Sequence, residues 1–132
     1  MVFPSITAGY AAVLGLIFIA MSAWVVGGRL GHQVLHGDGG LDTMNRRIRA
    51  HANFAEYVPL VLILVGLLEA SGAGPGVVHG MLLPLTIARV LHPFGMIAPI
   101  NSTQQFICRG GSVIVTLTVL GVASIVLLIR VS

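Results

Sequence analysis

The chain has 132 residues, of which 56% are hydrophobic and 8% charged, with a formal net charge of +3. A soluble domain carries roughly 25% charged residues to hydrate its surface, so this composition, with a mean hydropathy of +0.99, excludes an ordinary water-soluble fold. All the cationic residues are arginines, which removes lysine Schiff-base chemistry and the phosphate-loop lysine and favours forked recognition of carboxylates or phosphates.

A helix needs about 20 apolar residues to cross roughly 30 Å of hydrocarbon. The first such run covers about 6–28 and ends at Arg29. No basic residue precedes it, so it is read as a retained helix and not as a signal peptide. A polar loop follows, with the turn-rich Gly37-Asp38-Gly39-Gly40. The second helix is expected over 43–70, polar at its start, fully apolar from Tyr57 to Leu68 and closing at Glu69. After the short uncharged loop 71–76 come a third helix over 77–97, with Pro84 and Pro93 inside it, and a fourth over 103–130. Pro59 and Pro84 are read as helix bends.

The expected fold is therefore all-α: an integral membrane four-helix bundle forming a single domain over 1–132. Arginines flank the first and third loops and are missing from the second. By the positive-inside rule, loops one and three are cytoplasmic and both termini lie outside. Small residues on the first and fourth helices permit close packing in lipid. The inverted repeat of a transporter is not evident. A nucleic-acid partner is excluded, because no basic, aromatic-studded face can form outside the apolar spans.

Chemistry concentrates at the start of the second helix. Arg46, Arg49, Asn53 and Glu56 are spaced three, four and three apart and project from one face. Glu56 lies about 10 Å beyond Arg49 by the helical rise, inside the hydrocarbon, where an unpaired charge costs on the order of 2.5–3.5 kcal/mol or more. It requires a cation, and Arg49, Arg89 and Arg109 are the candidates, giving an expected buried ion-pair cluster. Arg89 and His92 share a face of the third helix, and Gln105 and Arg109 a face of the fourth, so three helices are expected to direct arginines into one cavity suited to a carboxylate-bearing anion. The plainer reading is that these groups only lock the helices in register. Arg29 and Arg130 are read as snorkelling to the headgroups, and Arg46 and Arg47 fit either role. The histidines His32, His36, His51 and His79 are scattered, so no metal site is expected. Cys108 stands alone in an apolar helix and is read as inert.

The segment Arg49-Ala-His-Ala-Asn53-Phe-Ala-Glu56-Tyr57-Val-Pro59 resembles the second-helix signature of the MAPEG family, the membrane-associated proteins in eicosanoid and glutathione metabolism: an Arg, then Asn at plus four, Glu at plus seven and Pro at plus ten. The four-helix plan, the Gly37–Gly40 loop and Arg89-Val-Leu-His92 extend the likeness over nearly the whole chain, most closely to short bacterial members. The resemblance implies a homotrimer in the bacterial inner membrane, with sites between subunits near the cytoplasmic side that bind glutathione as co-substrate and activate its thiol. By position, Arg49, Asn53, Glu56, Tyr57, Arg89 and His92 are implied as glutathione-binding residues, and Arg109 as the catalytic, thiolate-stabilising arginine, although the spacing from Arg89 to Arg109 is longer than in well-known members. Met96 departs from the pattern, standing where glutathione-using relatives often carry tyrosine.

The function expected on this basis is a microsomal-type glutathione transferase or peroxidase acting on lipophilic small molecules that enter from membrane lipid. The alternative is a non-catalytic trimeric protein that binds lipid or lipophilic ligands. Proton-coupled transport through Glu56 is a third reading, weakened by the lack of a second intramembrane acid on the cytoplasmic half.

Overall fold

A computed structural model describes residues 2–132; Met1, the first residue of the expected domain, lies outside the described residues. Among them are four helices, each long and apolar enough to cross a membrane: α1 (Ser5–His32), α2 (Asp42–Ala70), α3 (Pro75–Ile97) and a final span that begins as a π-helical stretch (Gln105–Gly111) and continues as α4 (Ser112–Val131). The expected spans are all present. α1 continues past Arg29 and stops where Gln33 turns into the left-handed region (φ 55°) and Val34 N–H donates back to the Arg29 carbonyl at 2.9 Å. Helical backbone is favoured throughout because only a helix or a closed barrel satisfies its own N–H and C=O groups where water is missing.

α2 and α3 form the central pair. Each packs on all three other helices, while α1 and α4 lie on opposite sides and do not meet among the described residues. The seam between the central helices is aliphatic and sealed, with Val61, Val65 and Leu68 of α2 against Val78, Leu82 and Leu85 of α3. The outward faces are also aliphatic: Leu16, Ile63, Leu83 and Ile125 are exposed. Lipid is as apolar as leucine, so burying such side chains gives little drive to association, and close packing and polar contacts must hold the helices together.

Several such polar contacts are present. At the end far from most arginines, the Glu69 carboxylate accepts from the backbone N–H of Ile6 at 2.9 Å and Thr7 at 2.8 Å. This supplies acceptors and negative charge to the start of α1, whose cap residue Pro4 offers no side-chain acceptor. Midway, the His51 ring stacks on Phe18 at 4.6 Å and its Nε2 lies 2.9 Å from Ser22 Oγ, fixing α2 on α1. Between these helices, Asp38 closes the turn by accepting from Gly40 N–H at 2.9 Å, and Gly39 there has φ +63° with Val34 directly behind it, so neither the backbone angle nor the space suits a side chain.

Candidate functional site

The α2 stripe divides into two edges, and helix geometry gives the reason. With 3.6 residues per turn, Arg46 and Asn53 lie about 20° apart around the axis, as do Arg49 and Glu56, while the two pairs are offset by about 60°. The first pair faces α3. Arg46 Nη1 donates to the carbonyls of Met96 (3.3 Å) and Ala98 (3.1 Å), and its Nε pairs with Asp42 at 2.7 Å. The second pair faces outward: Arg49 Nη1 lies 3.8 Å from Glu56 Oε1, with the two side chains 58% and 49% exposed.

Asn53 Oδ1 accepts from Arg89 Nη1 at 2.8 Å. Arg89 is 1% exposed, and its Nη2 also donates to the Ser112 carbonyl at 3.1 Å and to Thr116 Oγ1. One guanidinium thus ties α2, α3 and α4 together through three polar groups, and no carboxylate neutralises it among the described residues. Its Nε has no hydrogen-bond partner among them, nor does Nδ1 of His92, which is 3% exposed and lies one turn further along the same face of α3. Ser112 and Thr116 were not singled out in the sequence reading. Their signal is faint, since Ser and Thr in a membrane helix usually bond to their own helix, as Thr116 also does to the Ser112 carbonyl at 2.8 Å.

Arg109 occupies a third place. It projects from the π-helical stretch and lines an open groove of about 730 Å³ with Asn101, Ser102 and Gln105. The stretch lies tight against α3: a Cβ built on Gly95 would come within 2.7 Å of the Cys108 carbonyl carbon and closer still to the Arg109 nitrogen. Only glycine admits this approach. π-Helical turns are uncommon and occur often where a side chain is re-aimed for a task. Tyr57 is half-buried one residue after Glu56, and Met96 is half-buried beside Gly95.

The expected cavity shared by Arg49, Arg89 and Arg109 is therefore not formed within one chain. Asn53 and Arg89 are brought together inside the bundle, Arg49 and Glu56 meet on its outer surface, and Arg109 faces a separate groove. The expectation of a buried ion-pair cluster is corrected in the same way: the ion pair exists, with Arg49 as the partner of Glu56, but it is half exposed because those positions sit on the outer edge of the stripe.

The sequence profile of the MAPEG family matches residues 7–129. Two curated relatives, both named inner membrane protein YecN, from Escherichia coli K12 and from Escherichia coli O6:H1, are each 33% identical over 90 residues, covering 68% of this chain and 69% of theirs. No solved structure matches.

Proposed function

The chain belongs to the MAPEG family, and from that premise we propose that it is a glutathione-dependent transferase or peroxidase of the bacterial inner membrane, with sites assembled between the subunits of a homotrimer. The observation that carries this reading is the half-exposed Arg49–Glu56 pair on the spanning helix α2. Facing lipid, such a pair is costly; facing a neighbouring copy and a polar ligand, it becomes a recognition surface. Glutathione carries two carboxylates and one ammonium. Arg49 offers a planar fork to a carboxylate, Glu56 accepts from the ammonium, and Tyr57 stands one residue along. Asn53, Arg89 and His92 form the wall behind them.

Arg109 completes the site from its groove on the π-helical stretch. A guanidinium beside the glutathione sulfur favours the thiolate and draws the thiol pKa down from about 8.5, the proton leaving to water at the arginine-rich end. In the transferase reaction the thiolate sulfur forms a bond to an electrophilic carbon of the lipophile, and the electron pair of the broken bond departs with the leaving group. In the peroxidase reaction two glutathiones reduce a hydroperoxide to alcohol and water and become the disulfide. The test is spectroscopic. Saturating glutathione is expected to produce ultraviolet thiolate absorbance near neutral pH, and Arg109→Ala to abolish it; an unchanged signal in that variant contradicts the role of Arg109.

A second reading is favoured by Arg89, which is 1% exposed and directs its hydrogen bonds to groups of α2 and α4. In this reading the polar residues are structural, and the trimer binds lipophilic molecules without turnover. Thiolate formation separates the two.

A further inference from the structure

A groove with two adjoining chambers lies along α1 and the second half of α3, the upper chamber also bordered by the start of α2, and the two chambers differ in chemistry. The upper one, about 550 Å³, lies at the arginine-rich end, where Arg46, Arg47 and Asp42 face the chain just after α3. The lower one, about 370 Å³, is apolar, lined by Met21 and Phe94 among others, with Arg89 on its inner wall. Trp24 and Ile97 line both chambers, so the two adjoin there. We propose that this groove binds one anionic phospholipid, with the phosphodiester at Arg46 and Arg47 and an acyl chain passing Trp24 into the cleft between α1 and α3.

Charge, geometry and depth all support this occupant. Two guanidinium groups and one carboxylate leave the upper chamber with a single surplus positive charge, the complement of one phosphodiester. The cations are held in place: Arg46 by Asp42 and the α3 carbonyls, and Arg47 by lying 5.1 Å over the Trp24 ring while its Nη1 donates to the Trp24 carbonyl at 3.4 Å. Tryptophan is the side chain most at home at headgroup level, which places the division between the chambers at the membrane interface. From Ile97 to Arg89 the lower chamber follows eight residues of α3, about 12 Å at 1.5 Å per residue, most of the roughly 15 Å depth of one hydrocarbon leaflet. A free phosphate would leave that chamber empty. The inference rests on the placement of the chain in a membrane and is independent of any glutathione chemistry.

The experiment uses the full-length protein, delipidated in neutral detergent and offered phosphatidylglycerol, phosphatidylethanolamine, diacylglycerol or inorganic phosphate, with retention read by native mass spectrometry and protection by thermal unfolding. Phosphatidylglycerol is expected to be retained roughly fivefold better than phosphatidylethanolamine, and Arg47→Gln to erase that preference. Ala20→Phe, which fills the lower chamber from an exposed position on α1, is expected to expel every diacyl lipid while preserving helix content. This second variant decides the matter if Arg47→Gln does not fold. Equal retention of the two phospholipids, protection by inorganic phosphate alone, or an Ala20→Phe variant that keeps its lipid overturns the proposal. A change in subunit number in Ala20→Phe with lipid retention unchanged also overturns it and assigns the groove to a second copy.

Discussion

Arg89 is the residue on which the polar interior depends. In a low-dielectric bundle its guanidinium is tolerable because Asn53, the Ser112 carbonyl and Thr116 replace the water it lost. Asn53→Ala leaves Nη1 without an acceptor and is expected to cost about 1–3 kcal/mol, read as lowered thermal stability in detergent micelles. Arg89→Lys is expected not to restore stability to the wild-type level, because a single ammonium cannot span groups on three helices. Stability unchanged in Asn53→Ala would show that this contact contributes nothing. The three-four-three spacing of the α2 stripe was legible in the sequence and correctly placed four polar residues on one side of the helix. It did not distinguish the two edges, because an offset of about 60° becomes meaningful only when the position of α3 is known.

At the scale of elements, the four spans are legible because an apolar run of that length has few alternatives to a helix. The expected 77–97 and the observed Pro75–Ile97 differ only at the start, where Pro75 occupies the first helical position to which its ring is suited. The π-helical stretch was not legible. Its seven residues carry no pattern that separates a π-turn from an α-helix, and what distinguishes the stretch is a tertiary contact, the close approach of α3 at Gly95. That contact gives an element-scale prediction. Gly95→Val forces a branched side chain into backbone and is expected to destabilise the bundle by about 1–3 kcal/mol, while moving Arg109 away from α3. The check is thermal unfolding together with a distance measurement between spin labels on α3 and the π-helical stretch; an unchanged stability and distance would mean that glycine is not required there.

At the scale of the molecule, the chain has two unlike ends and an outer α2 surface that carries charge. The end with Arg29, Arg46, Arg47 and Arg109 carries most of the chain's arginines. The Arg49–Glu56 pair lies on the way from that end into the hydrocarbon. Composition and spacing point to a charged partner for Glu56, but not to the half-exposed position of the Arg49–Glu56 pair, which depends on where the neighbouring helices lie. The proposed function requires this outer α2 face to bind a small zwitterionic thiol. Calorimetric titration of the detergent-purified protein with glutathione and with its S-alkyl analogue tests it most directly. Saturable binding of both, lost in Arg49→Ala and weakened at least tenfold in Glu56→Gln, is the predicted result; no heat from either ligand on a folded, trimeric protein would contradict it.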